Sequence, residues 1–394
     1  MKIKVGVMFG GVSVEHEVSI ISAVQAMHAL NKDKYEVIPI YMAKDRTWYT
    51  GAMLTDIEVY KDFEDLKRYA KKVVLINKDG KICLESQGLF KRIVTDIDII
   101  LPVVHGNGVE DGTLAGYLET IGAPFVGPKV LGSALGQDKV VIKQIFESED
   151  IPHVKYDWFY DYEYNANNKE IESRISKLGY PVIVKPATLG SSVGITVVKD
   201  ESKLAPAILE AIAYDSKVVV EKMVDNLVEV NCSVLGNYEY QETSEIEEVI
   251  SSDDFLTYND KYVGGSKGSK KGMVATDRII PARIDAKTRE LVTELAKKTY
   301  KALNLSGICR VDFLIDKKSK KVYVNEPNTI PGSLSFYLWE PINKEYDELL
   351  DDAITYAIKE YKIIEGKTSS FSSNILSNYG GCKGLKGSKG KLKM

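Results

Sequence analysis

The sequence predicts a mixed α/β protein in three units, opening with an α/β sheet whose strands alternate with helices. Three observations predict it. Residues 3–9 form an apolar run ending at Gly10-Gly11, followed by a helical pattern to about Leu30 and a second apolar strand from Tyr35 to Tyr41, which reads as strand, turn, helix, strand. Asp96 to Val104 repeats this logic, ending in His105-Gly106-Asn107-Gly108 ahead of a helix over Thr113 to Thr120. Far downstream, Arg310 to Gly332 reads as two strands joined by the lysine-rich turn Asp316 to Lys320.

In an open sheet, ligands gather at the carboxyl ends of strands, where Glu15 and His105 fall. The pattern shifts around Pro124 to Gly132, and Gly136 to Ser148 reads as one amphipathic helix leading into a second unit. That unit carries strands at Tyr180 to Pro186, Ile195 to Val198 and Val218 to Glu221. A third begins near Asn226, with a strand over Val228 to Leu235, the Arg310 hairpin and a helix from about Tyr346 to Tyr361. The expected division is 1–126, 127–224 and 225–372, with a loop at 255–272 and a basic Gly/Lys tail at 373–394 that is expected to be disordered.

With 394 residues, two or three domains are expected. A composition of 27% charged and 44% apolar residues is that of a globular protein, and a formal charge of -4 gives no general case for nucleic acid or an anionic membrane. The four cysteines (Cys83, Cys232, Cys309 and Cys382) are far apart and lack metal-type spacing, which suggests reduced thiols in the cytoplasm. The basic start MKIKVGVMFGG has too short an apolar run for a signal peptide or a membrane span.

The hairpin carries the clearest chemistry. Alternation puts Arg310 and Asp312 on one face, and Val322, Val324 and Glu326 on one face of the returning strand. Asp312 then lies opposite Glu326, with Asn328 just beyond. Two carboxylates and an amide oxygen suit a magnesium ion that keeps positions open for phosphates. The apolar neighbours Val311, Phe313 and Ile315 imply burial, which argues against a merely solvated hairpin. Lys185 to Gly194 is a glycine- and serine-rich loop between strands with a lysine at its root, suited to covering a triphosphate. It lacks the GxxxxGK[ST] order of a P-loop. Val218 to Val224 is a strand leaving through a polar step that suits an adenine edge, and Glu229 is placed for ribose hydroxyls. The lysine- and glycine-rich stretch Phe255 to Gly272 reads as a lid over phosphates.

Together the segments GGVSVEHEVS (10–19), HGNGVEDGT (105–113), QDK (137–139), VKPATLGSSVGI (184–195), VEKM (220–223), KY (261–262), RVDF (310–313) and NEPNTIPG (325–332) resemble the D-alanine-D-alanine ligases of the ATP-grasp superfamily, in the same order, over about residues 3 to 345. The resemblance implies a three-domain ATP-grasp fold and formation of D-Ala-D-Ala, ADP and phosphate through an acyl phosphate, in the cytoplasm, for peptidoglycan synthesis. It implies that Lys139, Lys185, Ser191, Ser192 and Lys261 contact phosphates, Glu221, Lys222, Met223 and Val224 the adenine, and Glu229 the ribose. Asp312, Glu326 and Asn328 are implied to hold Mg2+, as two ions, with Mn2+ able to substitute. Arg310 and the Gly332 N–H are implied to stabilise the oxyanion. Glu15 would take the first ammonium, with His105 and Ser333 in the substrate site, and Glu15, Ser191 and Tyr262 would latch the lid. ATP and D-alanine are the implied partners, with no nucleic acid or membrane, and the chain is expected to form a homodimer.

The departures fall where the acceptor binds. The run Ser333 to Pro341 is one residue longer than the family's and strongly aromatic, so Tyr337 or Leu338 stands where a serine holds the acceptor carboxylate. Val109 and Ala115 replace a usual glycine and glutamine, and Pro327 separates two metal ligands. Tyr262 is typical of members with an amine acceptor. The alternatives are an acceptor other than D-alanine, such as D-serine or a bulkier amino acid, or an ATP-binding protein without catalysis.

Overall fold

The computed structural model describes residues 2–190, 193–250 and 277–368. The expected lid with Lys261 and Tyr262, the loop residues Ser191 and Ser192, and the 373–394 tail lie outside the described residues. The first sheet has seven strands: β1 (Ile3–Gly10), β2 (Tyr35–Met42), β3 (Trp48–Thr50), β4 (Lys71–Lys78), β5 (Lys81–Ser86), β6 (Ile93–Asp96) and β7 (Ile99–Val104), in the order β6-β5-β4-β3-β2-β1-β7. β1 runs parallel to β2 and β7, as the two strand-turn-helix readings require. The sequence reading passed over the antiparallel extension from β3 to β6.

The second sheet is antiparallel, in the order β10-β9-β11-β8, from β8 (Tyr156–Tyr160), β9 (Val182–Pro186), β10 (Thr196–Val198) and β11 (Lys217–Lys222). The third is also antiparallel, in the order β14-β13-β12-β15-β16, from β12 (Leu227–Gly236), β13 (Gln241–Ile250), β14 (Asp277–Ile279), β15 (Gly307–Asp316) and β16 (Val322–Asn328). Along β12 and β15 inward and outward residues alternate. Val230, Cys232, Val234, Val311 and Phe313 pack under the helix Ala286–Ala302, while Glu229, Asn231, Arg310 and Asp312 face a cavity.

Two expectations are corrected. The single helix over Gly136 to Ser148 is two helices, Val130–Gln137 and Lys139–Ser148, broken at Asp138. The Asp138 carboxylate accepts the N–H groups of Val140 and Val141 at 2.9 and 3.2 Å, capping the second helix. Val324 and Glu326 do not share a face. A bulge in the β15–β16 pairing, with Asp312 opposite Glu326 but Phe313 opposite Val324, turns Glu326 to the polar side and leaves Val324 in the core.

The segment after β16 ties the third sheet to the first. Leu334, Leu338 and Trp339, with Leu349, Leu350, Ala353 and Ile354 of the helix Tyr346–Glu365, share one apolar cluster with β1, β2 and β7. Asp351 adds hydrogen bonds from Lys34 (2.8 Å) and the Tyr35 hydroxyl (2.5 Å).

Candidate active site

A cavity of about 250 Å3 lies between the facing polar sides of the second and third sheets, closed at one end by the loops after β1 and β7. A row of polar residues crosses its floor in direct register. Glu247 on β13 stands opposite Asn231 on β12, Asn231 opposite Asp312 on β15, and Asp312 opposite Glu326 on β16. Because paired strands lie about 4.8 Å apart, the row spans three strand spacings.

Arg310, one alternation away, donates from Nε to Asp312 Oδ1 at 2.6 Å and from Nη2 to Oδ2 at 2.8 Å, and Asn328 Nδ2 donates to Oδ2 at 3.0 Å. Burial works against the Arg310 charge, but Asp312 outweighs it and keeps the guanidinium firmly cationic. Two of its five N–H groups serve Asp312, which leaves donors for a ligand. Gly332 also lines the cavity.

The opposite wall holds a buried ion triad. Glu221 on β11 accepts from Lys185 on β9 at 2.7 Å and from Lys143 at 2.9 Å. Burial alone would raise the Glu221 carboxyl, but the two ammonium groups overcome it and hold it at about 2. Lys143, which the motif reading missed, could have been found by spacing: it lies four residues after Lys139, on the same helix face. Burial pushes the Lys143 ammonium down, while Lys185 is raised because Glu221 and Glu326 outweigh its burial. Lys139 Nζ donates to the Leu189 carbonyl at 2.7 Å and lies 3.5 Å from Glu326 Oε2.

Both Glu221 oxygens are engaged, so any contact with a base falls to the backbone of this step. The Lys222 ammonium donates to the carbonyls of Gly179 and Tyr180, and the Met223 N–H to that of Pro181. Glu221, Lys222, Met223, Val224 and Glu229 all line the cavity.

At the N-terminal end, Glu15 follows a turn fixed by the Ser13 hydroxyl, which donates to the His105 carbonyl at 2.7 Å and accepts the Glu15 N–H at 3.0 Å. A Cβ on Gly106 or Gly190 would come within 3.0 or 2.9 Å of Glu15 Oε2, so both loops approach the carboxylate closely because these residues are glycines. The root of the Gly/Ser loop therefore sits beside Glu15.

His105 is buried and lines the cavity, but both ring nitrogens are engaged. Nδ1 donates to the Ile330 carbonyl at 2.9 Å, and Nε2 accepts from the Ser22 hydroxyl at 3.3 Å. Burial lowers its pKa, in keeping with a neutral ring. Glu110, also missed, accepts from the Gly106 N–H (2.9 Å), the Thr329 hydroxyl (2.8 Å) and the Ile330 N–H (3.0 Å). Burial and the Glu15 charge push its carboxyl up to about 7 against those three donors.

Ser333 does not join the substrate side. Ser333, Leu334 and Ser335 have φ of 51, 51 and 50°, a left-handed turn of three non-glycine residues costing roughly 1–2 kcal/mol each. That turn aims Ser333 at the first helix: its N–H donates to Ser22 at 2.9 Å and its hydroxyl to Gln25 at 2.6 Å. Of the two residues placed at the missing serine, Leu338 is wholly buried in the core and Tyr337 lines the cavity. Phe336 stacks on Tyr346 with centroids 4.5 Å apart, and Trp339 is buried, so these two aromatics pack the core.

Comparison with known proteins agrees with this arrangement. Residues 4–128 match the family model described as D-ala D-ala ligase N-terminus and residues 145–368 the one described as D-ala D-ala ligase C-terminus. A D-alanine--D-alanine ligase of Thermosipho melanesiensis is 40% identical over 376 residues, covering 95% of this chain and 98% of its own length. Among solved structures, the VanG D-Ala:D-Ser ligase from Enterococcus faecalis is 32% identical with a TM-score of 0.75, covering 91% of this chain and 100% of its own. The D-alanine-D-alanine ligase from Coxiella burnetii is 27% identical with a TM-score of 0.77, covering 92% and 97%. With three sheets around one cavity and likeness along nearly its whole length, the chain has the ATP-grasp fold and belongs to the D-Ala-D-Ala ligase family of ATP-dependent ligases.

Proposed function

We propose that this chain joins two D-alanines at the expense of ATP, giving D-Ala-D-Ala, ADP and phosphate through an acyl phosphate, as a peptidoglycan precursor step in the cytoplasm. The observation that carries the reading is the cavity itself, where the Lys185–Glu221–Lys143 triad faces the Glu247-to-Glu326 row with Arg310 beside it. Arg310 and the Gly332 N–H present donors to the oxyanion that forms when an amine attacks the acyl carbon. Lys139 and Lys185 face the phosphates, joined by Lys261, Ser191 and Ser192 from the lid and loop. Glu221 to Val224 offer backbone groups to the adenine and Glu229 meets the ribose. Glu15 takes the first ammonium and latches the lid with Ser191 and Tyr262, and His105 shapes that end as a neutral, fixed ring. The chemistry is positioning and charge neutralisation, without a covalent nucleophile.

Asp312, Glu326 and Asn328 form an oxygen donor set with two carboxylates in direct register, which fits a hard divalent cation. Among the described residues no cluster of three or more His, Cys, Asp or Glu gathers to hold a metal. Mg2+ there, as two ions and replaceable by Mn2+, would neutralise phosphate charge. We divide the chain at 126 and 224, in line with the three sheets, and propose a homodimer. Among the described residues no helix is long and apolar enough to cross a membrane.

ADP release from MgATP with D-alanine as sole amino acid tests the reading. D-Ala-D-Ala as the product supports it. Turnover that requires D-serine, as the name of the Enterococcus faecalis D-Ala:D-Ser ligase implies for that protein, or another amino acid would replace the acceptor. ATP binding without amino-acid-dependent ADP release would remove the enzyme.

A further inference from the structure

Glu110 joins two loops that lie 219 residues apart in the chain. In the loop after β7, its Oε2 accepts the Gly106 N–H at 2.9 Å, and its own N–H donates to the Gly106 carbonyl at 2.9 Å. Just past the end of β16, its Oε1 accepts the Thr329 hydroxyl at 2.8 Å and the Ile330 N–H at 3.0 Å. The Ile330 carbonyl completes the tie by accepting from His105 Nδ1 at 2.9 Å. Thr329 is buried, and a Cβ on Gly136 would collide with its Cγ2, so the helix Val130–Gln137 presses the threonine into place with its hydroxyl on Glu110.

The two residues that Oε1 grips lie between two parts of the site. Asn328, of the proposed cation set, directly precedes Thr329, and Gly332, of the proposed oxyanion donors, follows Ile330 by two. Only Pro331 stands between, and its ring holds φ at -71°, so a shift of Ile330 is passed on to the Gly332 N–H. On the other side Gly106 follows His105, whose carbonyl accepts from the Ser13 hydroxyl that also fixes the Glu15 N–H. With three protein donors on its carboxylate, Glu110 acts through these loops rather than by touching a ligand. We propose that Glu110 is a positioning residue for acyl transfer, setting the span between Glu15, which takes the first ammonium, and the Gly332 N–H, which meets the oxyanion. Rates depend steeply on the placement of reacting groups, so a clamp across this span is felt in the chemical step. The inference rests on the ligase reading above and deepens it.

The test uses the full chain with MgATP and D-alanine, at a temperature well below the denaturation midpoint of every variant, so that loss of folded protein does not enter the rates. Glu110→Gln keeps the shape but turns an amide NH2 toward one of the donors. It is expected to lower kcat about tenfold or more while the KM for ATP stays within about twofold. Glu110→Asp restores the charge on a shorter stem and is expected to recover part of that kcat. Thr329→Val removes one donor and leaves the carboxylate, so a fall in kcat of about two- to fivefold is expected. Because both residues act through one contact, the double variant is expected to lose little more than Glu110→Gln alone. A kcat for Glu110→Gln within about twofold of the unaltered chain, or losses that multiply in the double variant, would overturn the proposal. So would a rise in the KM for ATP matching the fall in kcat, which would make Glu110 a general tie between the sheets. If Glu110→Gln does not fold, Thr329→Val decides: a lowered kcat at constant KM for ATP supports the proposal, and an unchanged kcat overturns it. If the unaltered chain releases no ADP with any amino acid, the ligase reading itself fails, a result distinct from an active chain whose variants keep its kcat.

Discussion

The two sides of the cavity handle buried charge differently. On the second sheet, Lys185, Lys143 and Glu221 close on one another at 2.7 and 2.9 Å, and both carboxylate oxygens are engaged. On the third, Glu247 is buried as deeply, but its facing cation, Arg278, stands 3.8 Å away and one oxygen is held by two neutral donors. Buried charge is costly unless paired, so the first arrangement is a tightly closed ion triad, and the second is a looser pair in which neutral donors carry much of the carboxylate's satisfaction.

That contrast breaks most visibly at Glu221. Glu221→Gln leaves two buried ammonium groups sharing a neutral partner and is expected to destabilise the fold by about 3–5 kcal/mol in denaturant melts. Glu247→Gln keeps an acceptor for Asn231 and Tyr337 and is expected to cost about 1 kcal/mol. Equal losses would abolish the distinction.

Next in size is Arg310→Ala. Removing a donor aimed at developing charge is expected to lower kcat by about 10²–10³ while the KM for ATP moves only a few-fold. Steady-state kinetics at saturating D-alanine check this, and a matching loss of ATP affinity would make Arg310 part of the nucleotide site.

The pH dependence sharpens the comparison further. The Glu221 carboxyl is depressed in the fold to about 2, so its contribution is fully present above the ordinary carboxylate range and is lost as pH falls toward 2. The stability gap between the unaltered chain and Glu221→Gln is therefore expected to narrow between pH 5 and pH 3. Glu110 works in the opposite sense. Its raised carboxyl favours the protonated fold, and its contribution declines as pH rises through about 7. In the same melts Asp138→Ala, which removes both the cap on the helix Lys139–Ser148 and the ion pair with Lys217, is expected to cost about 1–2 kcal/mol.

Much of this site was legible because its motifs sit on strands, where parity alone places side chains. Arg310 and Asp312 share a face, and Asp312 meets Glu326, as alternation requires. The error at Val324 and Glu326 has a local cause: a bulge resets the parity, and nothing in Val-Tyr-Val-Asn-Glu announces it. Lys143, Glu110 and Glu247 were passed over because each acts through a partner distant in sequence, at β11, at Thr329 and Ile330, and at Tyr337 respectively. Ser333 was misplaced because a left-handed turn follows Gly332 without a glycine to mark it. The choice between Tyr337 and Leu338 depended on which of the two the core absorbs, and packing decides that.

The measurement that tests the account most directly follows the oxygen. D-alanine carrying 18O in its carboxylate is incubated with the full chain, MgATP and no other amino acid, and the inorganic phosphate is analysed for label. An acyl phosphate that breaks at its carbon–oxygen bond under attack by the second amine leaves one carboxylate oxygen on phosphate, so singly labelled phosphate appears in step with D-Ala-D-Ala. Phosphate released without label would contradict the acyl-phosphate route and the roles given to Arg310 and Gly332.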